Sequence, residues 1–454
     1  MNQEARASKT QTTSRWCARL RRVTRAVLVL LAVVLLIGWW QVLRIVEHDH
    51  WPLPEDAVTA AQAMQMTSDF IADDNTNRGD LAIAFAPSTA SEVDLYLDGS
   101  SFFPAMMADI ETAQHSIHII MFAISPGKIG DALVDLLIQK VGEGVEVRLV
   151  TDRQGSKPFT RNREMFDRLA AGGVQVVLND TWPIQATGVL PDRDRGWRQD
   201  EVGRADHRKM MVIDGRIGWV GGAGFEDHFE GGTWLDTFVR AQGDVVLQLQ
   251  AVFCTSFDVY GGVLPADLTP YFPLQENPGH IKTTVLQNIP GGFVPATQAS
   301  RAIIDSADVR VDVLNPYFTD ASMIDRVVDA GQRGVDVRVA TSRDSNNVPG
   351  AWAFRRHYQR MFDSGVGVYE VPGVIHAKVT VADDAVIIGS LNYDAWSLYR
   401  NLEISLLFED AETADRVVAE IIEPVLAQSE TPVAPEGWRE QIPAHFWWWT
   451  RYFL

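Results

Sequence analysis

Cysteine is nearly absent from this sequence. Cys17 and Cys254 are the only two in 454 residues, one in a basic leader and one in the apolar stretch "AVFCTSF". No disulfide framework can hold such a chain together, and the compartment has to be read from other features. Positive charge is also in deficit, with a formal net charge of −19. An acidic body repels a polyanion, so no nucleic-acid partner is expected, although a local basic pocket can still hold a single phosphate. Long apolar runs are lacking, with one exception. "AVLVLLAVVLLIGWW" runs from Ala26 to Trp40 without a charge, and "QVLRIV" extends it to Val46. As a helix, residues 26–46 reach roughly 31 Å, about the thickness of a bilayer core. No small-x-small cleavage site follows the run directly, which favours an uncleaved transmembrane anchor over a signal peptide. Trp39 and Trp40 suit the interface, and Arg44 can reach outward to water. Residues 1–25 carry seven basic side chains against Glu4. That basic tail is expected in the cytoplasm, with the chain after about residue 47 outside, in a single-pass protein of the cell membrane.

What the chain does have is an ordinary globular composition, 46% hydrophobic and 22% charged. Its length suits two to four domains or one large two-lobed body. Residues 47–94 read as a polar, Ala-rich connector. Two similar halves follow, expected at 95–270 and 271–430. Gly144–Thr151 reads "GVEVRLVT" and Gly334–Thr341 reads "GVDVRVAT". Each is a helix ending at Gly, followed by a strand rich in β-branched residues. Strands alternating with helices imply an α/β fold with a mixed sheet in each half. The repeat implies two lobes of one ancestry.

The repeat carries an unusual spacing twice. "ADHRKMMVIDG" contains His207, Lys209 and Asp214, and "VIHAKVTVADD" contains His376, Lys378 and Asp383. His and Lys two apart share one face of a strand. The Asp falls at an odd offset near a turn and is placed to reach back. A Gly-rich turn follows each motif, in "IGWVGGAGF" and "AVIIGSLNYD". A single H-x-K is ordinarily a solvated strand face, but its duplication in the same context argues for function. Metal ligation fits poorly, because a lysine ammonium has no lone pair to give, and neither metal nor cofactor is expected. Phosphoryl transfer fits better. One His can attack phosphorus while the other protonates the leaving oxygen. Two lysines supply fixed positive charge to the phosphoryl oxygens. The aspartates could orient the imidazoles or offset the local positive charge. Ser390 and Asn392, in "GSLN", add donors at the phosphate. Each lobe holds half a site, so the two must face each other.

These motifs resemble the phospholipase D superfamily, whose signature is H-x-K-x(4)-D written twice, and within it the bacterial cardiolipin synthase-type phosphatidyltransferases. The resemblance runs over about residues 95–430 and includes "WLDTFVRAQGDVVLQLQAVF", "NPYF" and "NLEISLLF". It implies that His207 and His376 are the catalytic pair, that Lys209 and Lys378 bind phosphate, and that Asp214 and Asp383 complete the motifs. It places Glu403 as support for a catalytic His, and implies a phospholipid substrate such as phosphatidylglycerol. Two positions depart from the pattern: Gly224 stands where Asn is usual, and Trp396 where Arg is usual. Asp236 and Trp234 read as structural. The loop "LPDRDRGWRQDEVGR" has a position that suits a lid. The aromatic tail 431–454, ending "HFWWWTRYFL", is expected to contact a membrane interface rather than fill the core. A topology reporter fused near residue 55 is expected to register as extracytoplasmic; a cytoplasmic signal there would overturn the orientation.

Overall fold

The computed structural model describes residues 87–157, 161–179, 205–289, 294–449 and 451. The apolar stretch at 26–46 and the lid candidate at 190–204 lie outside them. Among the described residues no helix is long and apolar enough to cross a membrane.

Two mixed sheets carry the architecture. The first contains β2 (Glu92–Leu97), β3 (Ser116–Met121), β4 (Glu146–Asp152), β5 (Gln175–Asn179), β6 (Lys209–Ile213), β7 (Ile217–Gly221) and β9 (Thr237–Gln242), in the order β2-β9-β7-β6-β3-β4-β5. The second contains β1 (Ser88–Ala90), β10 (Ile281–Asn288), β11 (Arg310–Leu314), β12 (Asp336–Ser342), β13 (Gly367–Val371), β15 (Val379–Ala382), β16 (Ala385–Gly389) and β17 (Glu403–Glu409), in the order β1-β10-β17-β16-β15-β11-β12-β13. Apart from β1, the two orders are the same path, which makes the sequence repeat a structural one. β3-β4-β5 and β11-β12-β13 are parallel, and the remaining pairings are antiparallel. Two strands, Ser88–Ala90 and Glu92–Leu97, begin within the span expected to be connector. β1 pairs with β10 of the second sheet, whereas β2 pairs with β9 of the first.

Helices cover the outer faces. α1 (Gly99–Thr112), α2 (Lys128–Gly142) and α3 (Arg163–Ala171) lie on the first sheet. α4 (Val245–Val259) packs into the layer between the sheets. α5 (Pro295–Ser306), α6 (Ala321–Arg333), α7 (Val348–Arg355) and α8 (Tyr358–Asp363) belong to the second lobe, and α9 (Trp438–Trp449) follows it. α6 shows why these segments are helical. Asp320 caps it by accepting the Met323 N–H, and Met323, Ile324, Val327 and Val328 form one buried face. Gly334, at φ 91°, ends it in the left-handed region that glycine adopts most easily.

The sheets pack face to face over a shared apolar layer in which Val212, Val220 and Val239 join Val381, Ile388 and Leu406. Met211 and Ile213 turn the other way, into the outer core beneath the first lobe's helices. Both faces of β6 beyond Lys209 are therefore dry, which is why "MMVI" is apolar throughout instead of alternating with polar residues. Burying each such side chain contributes roughly 1.5–3 kcal/mol.

Asp214 and Asp383 correct an expectation. Neither touches an imidazole. Each sits in the tight turn between its hairpin strands, at φ 53° and 49° respectively. Asp214 accepts the backbone N–H groups of Gln114, His115 and Ser116, and Asp383 those of Asp308, Val309 and Arg310. Each carboxylate thus ties the hairpin to the start of the adjacent antiparallel strand, β3 or β11. Partial burial pushes the Asp383 carboxyl up, but the three N–H donors and Arg310 outweigh it and hold it below its ordinary range. A group with a depressed folded value stabilises above its unfolded value and loses that contribution as pH falls through the folded one. Asp383→Ala is expected to cost about 1–3 kcal/mol near neutral pH, read as a lower urea midpoint. The gap from the parent is expected to narrow below about pH 4; a gap that stays constant from pH 7 to pH 3 would refute the assignment.

Candidate active site

Each His–Lys pair enters its sheet by way of the other lobe. Asp206, just before His207, bridges to Leu402, and the His207 N–H donates to the Leu402 carbonyl at 2.9 Å. In the second lobe, β14 (Val374–Ile375) pairs with β8 (Trp234–Leu235), and the His376 N–H donates to the Leu235 carbonyl at 2.6 Å. These exchanges carry side chains with them. Glu403 follows Leu402, and Asp236 follows Leu235. The His207 Nδ1–H donates to the Glu403 carboxylate at 3.0 Å, and His376 Nδ1 lies 2.6 Å from Asp236 Oδ2. Each imidazole is therefore oriented by a carboxylate of the opposite lobe, and its Nε2 is the uncommitted nitrogen.

Asp236 reads as merely structural from its own stretch; the structure makes it the counterpart of Glu403. The signal is a repeated Leu-acid pair, "WLDTFV" and "NLEISL", opening the strand after each Gly-rich turn. Gly222 leaves space for it, since a Cβ there would stand 2.2 Å from Asp236 Oδ1. Arg208 was also missed. It lies between His207 and Lys209 and faces the opposite way, fully buried. Arg208 donates to both Asp206 oxygens at 2.8 and 2.6 Å and to Gln287 Oε1 of the second sheet at 3.0 Å. Breaking such a buried pair costs about 3–5 kcal/mol, so it fixes the strand end that carries His207.

The lysines complete the cluster. Lys209 Nζ donates to the His207 carbonyl and lies 4.9 Å from the Phe122 ring centroid. Lys378 Nζ donates to the His376 carbonyl, and lies 2.7 Å from His376 Nδ1 and 3.9 Å from Asp236 Oδ2. Nδ1 cannot both donate to Asp236 and accept from Lys378; pairing with the carboxylate leaves the ammonium to the carbonyl and to the anionic field. Burial pushes Lys209 down to about 7, Glu403 pulling against it and Lys378 adding to it; Lys378 is pushed down to about 8. Burial likewise lowers both histidines, most strongly His376, where Lys378 and Lys209 add to it. Burial lifts Asp236 to about 7 against the pull of Lys378. At Glu403, burial is outweighed by His207 and Lys209, and the carboxyl stays below its ordinary range. A cluster of lysines and histidines all pushed toward their neutral forms is prepared for an anion, whose charge would raise them together.

Ser390 is a second correction. Its hydroxyl is fully buried and donates to Glu403 Oε2 at 2.5 Å, so it braces the carboxylate rather than facing the cleft. Asn392 differs from Ser390 in facing the cleft. It lines a cleft of about 410 Å³ with His207, Phe122, Gln154, Tyr317 and Trp396. Its buried Oδ1 has no hydrogen-bond partner among the described residues.

A family model described as "Cardiolipin synthase, PLD-like domain" matches residues 106–231 and 301–423, both halves of this arrangement. The chain belongs to this phospholipase D-like family. Its relatives include a cardiolipin synthase of Geobacillus thermodenitrificans, 28% identical over 351 residues, which are 74% of this chain and 66% of that protein. Cardiolipin synthase 2 of Bacillus anthracis is 27% identical over 367 residues, covering 78% and 68% of the two chains. The chain thus spans about two thirds of the length of these curated relatives. Among solved structures, the phosphatidylserine synthase of Haemophilus influenzae Rd KW20 superposes with a TM-score of 0.62 at 11% identity, over 86% of this chain and 100% of that one. That likeness speaks to the fold.

The phospholipase D-like halves are not equivalent at the cleft. Gly224 occupies the place corresponding to Asn392, and a Cβ there would lie 2.7 Å from the Ala123 carbonyl oxygen. No amide can be added on that side without moving backbone. Trp396 lines the cleft on the Asn392 side, with the Arg400 guanidinium 5.2 Å from its ring centroid. Exchanging either carboxylate for its amide, Asp236→Asn or Glu403→Gln, keeps the shape but loses the charge that holds the imidazole tautomer. Turnover of a phosphodiester is expected to fall about 10²- to 10⁴-fold in each, with little change in KM. Less than a tenfold loss would show that the carboxylates only support the fold.

Proposed function

We propose that the chain is a membrane-anchored phosphatidyltransferase of the cardiolipin synthase type, with phosphatidylglycerol as the phosphatidyl donor. The observation carrying this reading is the reciprocal clamp: two imidazoles, each with Nδ1 committed to a carboxylate of the other lobe, beside two buried lysines. The names of the relatives support the choice of lipid over other phosphodiesters, and the acidic body argues against nucleic acid.

In this mechanism His207 Nε2 attacks phosphorus. The phosphorus–oxygen bond to the donor's headgroup breaks, and the leaving oxygen takes a proton from His376. Glycerol departs and a phosphatidyl-His207 intermediate remains. The hydroxyl of a second phosphatidylglycerol then gives its proton to His376 and attacks phosphorus, which releases His207 and forms cardiolipin. Glu403 suits His207 to the nucleophile's part, because an ionised carboxylate stabilises the positive charge that develops on the ring. Burial and Lys378 hold His376 well below its ordinary value in the free protein; a bound phosphate anion supplies the charge that restores its proton. Lys209, Lys378 and Asn392 receive the phosphoryl oxygens. In this reading residues 26–46 anchor the chain, with the lobes outside the cytoplasm.

Lipid analysis after incubation with phosphatidylglycerol tests the reading. Cardiolipin and glycerol are the expected products; phosphatidic acid alone would make water the acceptor and the chain a phospholipase D-type hydrolase. Acid quench is expected to trap phosphohistidine at His207. A nitrophenyl phosphodiester, whose leaving group needs little protonation, is expected to rescue His376→Ala partly and His207→Ala not at all. Label at His376, or rescue of the other variant, would exchange the two roles.

A further inference from the structure

The aromatic tail is a helix with two apolar faces, one packed on the fold and the other largely exposed. α9 lies along α7. On its inner side Ala444 is buried, and Trp448 packs on His357 with ring centroids 4.1 Å apart. On its outer side Trp438, Ile442, Phe446 and Trp449 are 52–69% exposed. Their spacing of four, four and three residues sets them in one stripe along the helix. Every largely exposed Trp or Phe among the described residues lies in this stripe.

Cationic groups accompany it. The Arg451 and Arg356 guanidiniums stand 4.2 and 5.7 Å from the Trp448 ring centroid, and Arg439 stands 5.4 Å from that of Trp438. Burial and the neighbouring Arg451 both push Arg356 below its ordinary value, so two like charges share one ring. The segment's acids, Glu436 and Glu440, sit toward its N-terminal end. In a chain of net charge −19, an exposed aromatic stripe with Arg439 at one end of the helix and Arg356 and Arg451 beside its other end is locally complementary to an anionic, half-apolar surface.

We propose that the outer face of α9 docks on a bilayer rich in anionic headgroups, with Trp438, Ile442, Phe446 and Trp449 in the interface and Arg356, Arg439 and Arg451 on lipid phosphates. Trp and Phe at the headgroup level, with Arg beside them, match that environment. The stripe is one helix wide and about 18 Å long, far short of the roughly 800 Å² per partner of a stable protein interface. A second copy would also bring a strongly acidic body against its like. The position relative to the cleft gives the docking a purpose. Asn347 caps α7, on which α9 rests, and lines the same cleft as His207 and Asn392. This rests on the reading of the substrate as a membrane lipid: the helix on which α9 is seated begins at the cleft itself.

The test uses the full chain in lipid nanodiscs, with an environment-sensitive fluorophore on Phe446→Cys in a Cys17→Ser background and a control on Leu274→Cys, which is 89% exposed. In phosphatidylglycerol discs the probe at 446 is expected to shift to the blue and to be quenched by nitroxide-labelled lipid, while the probe at 274 stays aqueous. The shift is expected to shrink in phosphatidylcholine discs and in Arg356→Gln/Arg451→Gln. A probe at 446 as wet as the one at 274 overturns the proposal. So does a shift that appears only when two chains share a disc, since the occupant is then a second copy. In Ile442→Ser/Phe446→Ser, the ratio of turnover on bilayer lipid to turnover on dispersed short-chain lipid is expected to fall about tenfold; an unchanged ratio counts against docking. Turnover of phospholipid by the parent protein judges the proposed function, and the probe judges the docking, so the two fail separately.

Discussion

Everything at the centre of this molecule depends on the exchange of a short backbone segment and one carboxylate between lobes. Leu402 and Leu235 each accept a backbone bond from the opposite lobe's histidine, and the residues after them, Glu403 and Asp236, hold the two imidazoles. Neither lobe can orient its own histidine. Separating them would take each imidazole away from its carboxylate and expose the apolar layer shared by the two sheets to water. The same contacts that bring the lobes together therefore prepare the chemistry.

The electrostatics follow from that arrangement. Two lysines, two histidines and two carboxylates occupy a buried volume in which each shifts the others. The lysines themselves are buried, so their field is screened less than it would be at a surface. Buried groups around the site hold the geometry from behind. Arg208 pins Asp206 and reaches Gln287 in the second sheet, Ser390 braces Glu403, and Gly222 makes room for Asp236. These are the residues through which a change outside the cleft would reach the imidazoles.

Duplication built the site, and divergence made it directional. The strand orders match, the turn aspartates match, and the carboxylates match. The Asn392 position does not, because Gly224 lies against the Ala123 carbonyl. At this position one half thus offers an amide to the cleft and the other does not, and the Trp396 indole also comes from the second half. Two chemically similar histidines consequently face different surroundings.

The sequence by itself determined the repeat, the mixed α/β lobes and the four basic residues of the site. Those are periodic and local: the H-x-K spacing on one strand face, the Gly-terminated helices, and the apolar runs of strands buried on both sides. It did not separate the two uses of aspartate. Asp214 and Asp383 stand inside the motif yet serve backbone N–H groups at a turn, while Asp236, well outside it, holds an imidazole. Spacing along the chain reports which residues share a strand, not which residue of another lobe they will meet. The same blindness applied to Ser390, whose hydroxyl could have turned toward phosphate or toward Glu403, and to the strands that begin at Ser88 and Glu92, whose partners lie far along the chain. Only the packing of one sheet on the other decided these, because a carboxylate's role is set by the donor it reaches across space.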